Sequence, residues 1–343
     1  MISNKEAIKR YTWTLEKGFG RRGKFLKVVC PKCNKIGTLY YNTRLGWYIK
    51  HGAKKTHLIP ENTPLTIPLH NPKLIMFPYM GGDQYLIRYI SNMIPPHKCY
   101  VEVFGGAAPL LLNKPPSKVE IYNDIDGNII NLFKVVKERY DDFMREIEWL
   151  VDARQTYYDF MQKIQTEKDP VKRAVMYFYI INRSINSSFG TAYAITATRN
   201  KARPFWNKVE MLRLVHKRLK NVVIESLDFR EILKHYDSKL TFFYLDPPHL
   251  FYATEKGQDY YETAFTDKDY FDLLNMLLDL EGKWLLKQNY IPYIVQWANE
   301  NELSMTTIEF AKHSSVGKNR PKRFMKVCFI ANYPLKNRRG SQG

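Results

Sequence analysis

Cysteine is scarce in this sequence: four residues in 343 are too few for a disulfide scaffold in a chain of this length. No apolar run is long enough to span a bilayer. Residues 1–10 are polar and lack the apolar core of a signal peptide. These absences argue against a small disulfide-stapled domain and a membrane partner, and they predict an intracellular, cytoplasmic protein.

Acidic residues are nearly missing from both ends of the chain. Residues 1–60 hold 14 Lys or Arg against 2 Asp or Glu, and residues 313–343 hold 8 against none. The internal segment 171–220 holds 11 against 1, and the whole chain carries a net charge of +19. Three basic sectors favour a polyanionic partner, most simply nucleic acid. The alternative is a merely soluble basic protein, since charge alone is weak evidence.

From residue 73 onward, short apolar runs alternate with segments of helical spacing. The predicted strands are Tyr100–Val103, Val119–Tyr122, Val222–Ile224, Leu240–Leu245, Trp284–Leu286 and Val327–Ala331. The predicted helices are Ala107–Leu112, Ile129–Val136, Phe229–His235 and Tyr270–Leu280. This alternation predicts an α/β fold with a mostly parallel sheet covered on both faces. Ligands of such sheets bind at the carboxyl ends of the strands.

The alternation predicts a domain organisation with one interruption. Residues 135–222 are helix-rich at first and then polar and basic, which predicts an inserted domain between the two parts of the sheet domain, 63–134 and 223–335. Residues 1–62 are predicted to form a separate basic β module, which a Pro-rich stretch links to the remainder. Residues 336–343 are predicted to be a disordered basic tail.

The amino-terminal module contains a possible set of metal ligands. Cys30 and Cys33 are followed by His51 and His57 in the spacing Cys-x2-Cys-x17-His-x5-His. Two thiolates and two imidazoles suit a tetrahedral zinc ion, so the pattern predicts a structural zinc in a zinc-ribbon-like module. The alternative is a reduced cysteine pair in a small β module without metal.

Two of the predicted strands end in residues suited to a nucleotide. Gly105 and Gly106 follow the first strand and allow a sharp turn and a close approach of the backbone to a ligand. Asn123 and Asp124 end the next strand, where an acidic side chain can accept hydrogen bonds from ribose hydroxyls. The glycines alone are equally typical of a tight turn, so the prediction depends on both strand ends together.

The buried strand Leu240–Leu245 ends in Asp246, Pro247, Pro248 and His249. Two consecutive prolines cannot continue the hydrogen-bond ladder, so the backbone leaves the sheet rigidly. The Asp carboxylate and a proline carbonyl are both acceptors, and an exocyclic amine offers two N–H donors. The aromatic ring of His249 suits stacking on a base. The alternative interpretation is a simple strand-ending turn.

These motifs resemble those of the Dam-like DNA adenine N6-methyltransferases. The resemblance covers roughly residues 70–335, and six motifs occur in the order of that family. They are Pro78–Gly82, Val101–Gly106, Tyr122–Ile125, Ile181–Asn186, Leu227–Phe229 and Asp246–His249. The sequence departs from the family at two positions: His249 stands where the family usually has Tyr or Phe, and Asp83 where it usually has Lys.

The resemblance implies a fold, a reaction and a set of site residues. It implies a Rossmann-like methyltransferase sheet that transfers a methyl group from S-adenosylmethionine to adenine N6, after the base flips out of double-stranded DNA. The catalytic motif would be Asp246, Pro247, Pro248 and His249. The cofactor contacts would be Tyr79, Gly81, Gly82, Phe104, Gly105, Gly106, Asp124, Asp228 and Phe229. Within 135–222, the target-recognition domain by this resemblance, candidate DNA contacts are Asn182, Arg183, Asn186, Arg199 and Arg203.

Other functions fit the same motifs. The acceptor pair at Asp246 serves any exocyclic amine, so an RNA adenine or a DNA cytosine-N4 methyltransferase is the nearest alternative. A non-catalytic nucleic-acid-binding protein on a decayed methyltransferase fold is an alternative of another class. A cognate restriction endonuclease is a further expected partner if the chain serves a restriction–modification system.

Overall fold

The structure is a computed structural model that describes residues 27–30, 32, 36–42, 46–51, 55–58, 74–78, 86–185, 189–195, 202–248, 265–312 and 323–335. The chain divides into two compact units, residues 1–72 and residues 73–343. None of the helices in the described part is long and apolar enough to cross a membrane.

The smaller unit contains a four-stranded antiparallel sheet. Its strands are β1 (Lys27–Val29), β2 (Ile36–Asn42), β3 (Gly46–His51) and β4 (Lys55–Leu58), and they lie side by side in chain order. The register places Ile49 opposite both Leu39 and His57. The β character predicted for this module is therefore present in its described residues.

The larger unit is built on a seven-stranded sheet. Its strands are β5 (Cys99–Glu102), β6 (Val119–Asn123), β7 (Val222–Glu225), β8 (Thr241–Leu245), β9 (Lys283–Asn289), β10 (Ser304–Lys312) and β11 (Arg323–Ala331). Their spatial order is β10-β11-β9-β8-β5-β6-β7. The strands from β9 to β7 run parallel, whereas β11 is antiparallel to β9 and to β10. The predicted mixed α/β fold with a mostly parallel sheet is confirmed.

Helices cover both faces of this sheet. They are α1 (Ile87–Ser91), α2 (Pro109–Asn113), α3 (Gly127–Glu138), α4 (Tyr140–Glu148), α5 (Arg154–Lys163), α6 (Pro170–Arg183), α7 (Ala202–Leu219), α8 (Phe229–Tyr236), α9 (Asp267–Asp279) and α10 (Pro292–Glu300). In β8, Phe242 and Tyr244 join one core with α3, α6 and α7. Phe243 and Leu245 join the opposite core with α8, α9 and α10. Every residue of β8 is buried, as expected for a central strand between two helical layers.

The segment 135–222 packs into the main body of the larger unit. Helices α6 and α7 contribute Phe178, Leu212 and Val215 to the same core as Tyr122 of β6. Residues 135–222 thus share the core of the sheet within the unit 73–343. Their role in target recognition stays a prediction about function.

A buried ionic group ties α7 to β6. Lys114 Nζ lies 2.5 Å from Glu120 Oε1, and the Arg218 guanidinium donates to both carboxylate oxygens at 2.6 and 2.8 Å. The side chains of Lys114 and Glu120 are 1% and 3% exposed. Burial acts to raise the pKa of Glu120, but the hydrogen bonds from Arg218 and Lys114 outweigh it and hold that pKa below its usual range. The carboxylate therefore compensates two cations at once.

We predict that Glu120→Ala lowers the free energy of unfolding by about 3–5 kcal/mol, because it leaves two buried cations without a counter-charge. Urea unfolding followed by circular dichroism measures this loss. The matched control is Asp142→Ala, since Asp142 also pairs with two cations, Arg139 and Arg145, but on the surface. A much smaller loss is expected there, and equal losses in the two variants would contradict the prediction.

Candidate active site

The carboxyl ends of the parallel strands form one edge of the sheet, and the strand order reverses there. From β5 the chain continues through β6 and β7 on one side, and through β8 and β9 on the other. A crevice forms where the order of an open parallel sheet reverses, and ligands bind in it. The motifs that follow β5, β6, β7 and β8 all lie at this edge.

Asn123, the last residue of β6, joins three of these strand ends. Its buried side-chain amide donates to the carbonyl oxygens of Val103 and Leu227, each at 3.0 Å. Its Oδ1 accepts from the Leu227 backbone N–H at 2.9 Å. Leu227 immediately precedes Asp228, so one amide aligns the loops after β5 and β7 with the end of β6.

The glycine turn after β5 lies against the ring of Tyr122. A Cβ atom placed on Gly105 would lie 2.1 Å from a ring carbon of Tyr122, so the position has no room for a side chain. Gly106 adopts a φ of 49°, which glycine tolerates without strain. The Tyr122 hydroxyl donates to the Gly106 carbonyl oxygen at 2.6 Å. Gly105 is therefore required by the packing of this turn, and Gly106 suits its backbone conformation.

Asp124 lies directly beside the glycine turn. Its Oδ2 accepts from the Gly106 N–H at 2.6 Å, and its Oδ1 accepts from the Asp126 N–H at 2.9 Å. Burial raises the pKa of Asp124, and hydrogen bonds from the backbone N–H groups of Asp126, Gly106 and Ile125 oppose that rise. A carboxylate has about four acceptor positions. Three are used by the backbone, which leaves one for a ligand.

Three phenylalanine rings line the same edge. The ring centroid of Phe104 lies 5.9 Å from that of Phe229 and 5.6 Å from that of Phe265, and Phe229 and Phe265 are 5.6 Å apart. Phe265 is a member of this cluster that motif analysis did not identify. The sequence feature that could have identified it is its position just before Thr266, which begins α9 with a capping box.

Asp228 begins α8 as its N-cap. Its side chain accepts from the Arg230 backbone N–H at 2.8 Å and is 45% exposed. The Arg230 guanidinium contacts Asp228 and also Asp269 and Asp272 of α9, and it stacks on the Phe229 ring at 4.3 Å. These contacts hold the Asp228 carboxylate beside the three phenylalanine rings.

Asp246 follows the central strand β8 and is paired with a buried lysine. Lys287 Nζ of β9 lies 2.8 Å from Asp246 Oδ2, and the two side chains are 3% and 23% exposed. Pro247 is buried and Pro248 is partly buried. Motif analysis did not identify Lys287. The available signal was a lysine inside an otherwise buried strand, Trp284 to Gln288.

Four predicted members of the cofactor and catalytic set lie outside the described residues: Tyr79, Gly81, Gly82 and His249. Their assignments stay predictions. The structure brings together Phe104, Gly105, Gly106, Asp124, Asp228, Phe229, Asp246, Pro247 and Pro248 at the carboxyl edge of the sheet.

The candidate DNA contacts differ in their accessibility. Arg203 is exposed at the start of α7. Arg183 is 3% exposed, is paired with Asp152 and donates to the Tyr193 hydroxyl at 2.6 Å, so its side chain is placed to stabilise the helical layer. Asn182 donates to Phe178 O and accepts from Lys208 Nζ at 2.6 Å. Asn186 and Arg199 lie outside the described residues.

In the smaller unit, three of the predicted metal ligands converge. The ligand atoms of Cys30, His51 and His57 all lie within 4.8 Å of one another. Cys30 Sγ is 3.1 Å from His57 Nδ1, and the two imidazole rings are 5.1 Å apart. Cys30 is buried, whereas both histidines are partly exposed. Cys33 lies outside the described residues.

Comparison with known proteins decides the family. Residues 79–315, more than half of the chain, match the model of the D12 class N6 adenine-specific DNA methyltransferases. The chain belongs to this family. A D12-class member uses S-adenosylmethionine as methyl donor and adenine in DNA as substrate, so the resemblance stated from the motifs is confirmed.

Curated relatives of this D12-class methyltransferase are named as DNA adenine methylases or as a type II methyltransferase. The DNA adenine methylase of Escherichia coli is 24% identical over 247 residues, which are 69% of this chain and 84% of that protein. The DNA adenine methylase of Salmonella typhi is 26% identical over 55% of this chain and 69% of that protein. The type II methyltransferase M.MjaIII of Methanocaldococcus jannaschii is 28% identical over 62% and 82%.

We predict that Gly105→Ala destabilises this D12-class methyltransferase by about 1–3 kcal/mol, because the added methyl group would overlap the Tyr122 ring. The matched control is Gly127→Ala at the start of α3, where an added Cβ would meet no atom within 4 Å. Urea unfolding of both variants measures the difference. Equal stability of the two variants would show that the turn after β5 can relax around a side chain.

Proposed function

We propose that the chain methylates adenine N6 in double-stranded DNA by direct transfer, with Asp246 and the Pro247 carbonyl as the acceptors of the two amine hydrogens. S-adenosylmethionine supplies a methyl group activated by its sulfonium. The observation that carries the proposal is the position of Asp246: it ends the central strand β8, next to the glycine turn after β5.

The chemistry at Asp246 follows from hydrogen-bond capacity. Lys287 occupies Oδ2, so Oδ1 is the oxygen that faces an incoming amine. Proline has no backbone N–H, so Pro247 and Pro248 bring no donor of their own that would compete for these acceptors. An amine whose two hydrogens are both accepted moves toward tetrahedral geometry, and its lone pair would form the bond to the methyl group as the bond to the sulfonium sulfur breaks. The methylated nitrogen would then lose one proton, for which no strong base is required. His249 would stack on the base.

The residues around the crevice fit the cofactor. Its ribose needs hydroxyl acceptors, and Asp124 retains one acceptor position beyond the three used by the backbone. Its adenine needs an apolar slot with a polar rim, which Phe104, Phe229 and the half-exposed Asp228 provide. We assign Tyr79, Gly81 and Gly82 to the same pocket by their match to the family motif.

The protein must bind the DNA duplex and flip the target base out of it. Flipping the target base costs a few kcal/mol, which phosphate contacts must offset. The basic segments 1–60 and 171–220 supply the charge for these contacts. Exposed Arg203, together with Asn186 and Arg199, is our proposed set of base contacts. We do not extend this proposal to Arg183, because its guanidinium is buried against Asp152 and Tyr193.

We predict that purified protein converts adenine to N6-methyladenine in unmethylated DNA, and that Asp246→Asn lowers the rate by at least about a hundredfold. The amide would replace one amine-facing acceptor or disrupt the contact with Lys287. Mass spectrometry of the digested nucleosides measures the product. The matched control is Asp279→Asn, an exposed aspartate at the far end of α9, which should retain full activity.

The same measurement separates the alternatives. N4-methylcytosine as the product would show that the target base is cytosine. Methylation of RNA but not of DNA would show that the substrate is RNA. Cofactor binding in calorimetry without any methylated nucleoside would contradict catalysis and favour a nucleic-acid-binding role.

We further propose a structural zinc ion in the smaller unit, held by Cys30, His51 and His57 with Cys33 as the fourth ligand. Zinc–sulfur bonds of about 2.3 Å and zinc–nitrogen bonds of about 2.0 Å place tetrahedral ligand atoms roughly 3.5 Å apart. The 3.1 Å between Cys30 Sγ and His57 Nδ1 is close to that separation. Ligands from three strand ends would crosslink a sheet that has few residues for a core.

We predict about one equivalent of zinc per chain, and its loss in Cys30→Ser and in His57→Ala. Elemental analysis by mass spectrometry, after purification under reducing conditions, measures the metal. Cys99→Ser is the matched control, because Cys99 begins β5 in the larger unit. A wild-type protein that stays free of zinc after incubation with zinc salt would remove the proposal.

A further inference from the structure

Lys287 is an unusual residue for its position in the sheet. It lies on β9, a parallel neighbour of the central strand β8, and its side chain is 3% exposed. The register pairs Leu245 with Leu286, so Asp246 and Lys287 are the next residues along the two strands. A lysine is almost never buried this deeply unless it is paired. Its ammonium contacts the carboxylate that the proposed function places against the substrate amine.

We propose that Lys287 is the positioning residue of the reaction: its ammonium fixes the Asp246 carboxylate so that one oxygen faces the adenine amine. This inference rests on the proposed function. The contact of 2.8 Å is made to Oδ2, and it restrains the rotation of the carboxylate about its Cβ–Cγ bond.

The surroundings of Lys287 restrict its movement. Phe329 of β11 is its partner in the register on the other side, and Phe329 is fully buried. The next residue, Gln288, is also buried, and its Nε2 donates to the Tyr270 hydroxyl of α9 at 2.7 Å. The backbone on which Lys287 stands is therefore held from both neighbouring strands and from a helix. A side chain on rigid elements orients a functional group more accurately than one on a loop.

The pairing is poor evidence of a stabilising role. Replacement of a buried ion pair by apolar residues of similar volume is often neutral or stabilising. A lysine kept beside Asp246 is better explained by what it does to that carboxylate. Lys287→Met removes the charge and keeps a similar length. Because it leaves Asp246 without its partner, some loss of stability is expected as well, and kcat and KM separate the two roles.

We expect Lys287→Met to lower kcat by about tenfold to a hundredfold, the range that misplacement of a reacting group costs. The KM values for DNA and for S-adenosylmethionine should change less than about threefold, since Lys287 contacts the carboxylate rather than the cofactor pocket. The melting temperature should fall modestly, because the partly exposed Asp246 carboxylate loses its counter-charge. Lys287→Arg, which keeps the charge, should recover most of the activity. Steady-state kinetics and thermal unfolding of the full chain measure these quantities.

A double mutant tests whether Lys287 acts through Asp246. In the Asp246→Asn background, Lys287→Met should cause no further loss of kcat, because the group that Lys287 orients is already gone. A further tenfold loss there, KM values raised more than about threefold, or a kcat within twofold of wild type in Lys287→Met would each overturn the inference. Should Lys287→Met not fold, Lys287→Gln is subject to the same criteria.

Failure of this inference is distinguishable from failure of the proposed function. The proposed function is contradicted if wild-type protein forms no N6-methyladenine, or if the product forms without Asp246. Wild-type activity that depends on Asp246 but is retained in Lys287→Met contradicts only the role of Lys287.

Discussion

The active edge of the sheet depends on the side-chain amide of Asn123. It is buried, so an unmatched donor or acceptor there would cost about 1–3 kcal/mol. Both hydrogens and the oxygen are matched by the carbonyl of Val103 and by the carbonyl and N–H of Leu227. Aspartate could not donate to the two carbonyls, and a shorter side chain could not reach them. One residue thus fixes the positions of the glycine turn, Asp124 and Asp228 relative to one another along the edge of the sheet.

The sheet was largely predictable because its central strands are buried on both faces. Such strands are continuous apolar runs, as in Thr241–Leu245, and a run of this kind is visible in sequence. The edge strand Ser304–Lys312 was not predicted, because its described residues are mostly partly exposed and it includes two threonines and a glutamate. The packing of 135–222 was also not predictable, since an apolar helical face does not say which surface it covers. Here the surface was the sheet itself.

The site, like the sheet, has some residues that the sequence identifies and others whose role depends on tertiary packing. Residues that directly follow parallel strands were identifiable, because all the carboxyl ends meet at one edge whatever the register. Lys287 and Phe265 were not identifiable, since their contacts depend on the register of β9 against β8 and on where α9 begins. Arg183 was predicted to contact DNA from its place in the motif Ile181–Asn186 and from the chemistry of its side chain. Its burial comes from Asp152 and Tyr193, which lie 31 residues before and 10 residues after it in the chain.

The ion pair at Glu120 anchors one end of α7 and leaves the other end, which carries the proposed DNA contact Arg203, outside that network. Arg218 ties the last turn of α7 to Glu120, near the amino end of β6, and His216 contacts Val136 O near the end of α3. Since α3 begins beside Asp124, its end and that of α7 lie away from the active edge. Arg203 precedes Arg218 by 15 residues, roughly 22 Å along a helix. The exposed start of α7 therefore points toward the active edge. Under the proposed function, substitutions there alter DNA contacts without disturbing the ion pair that anchors the helix.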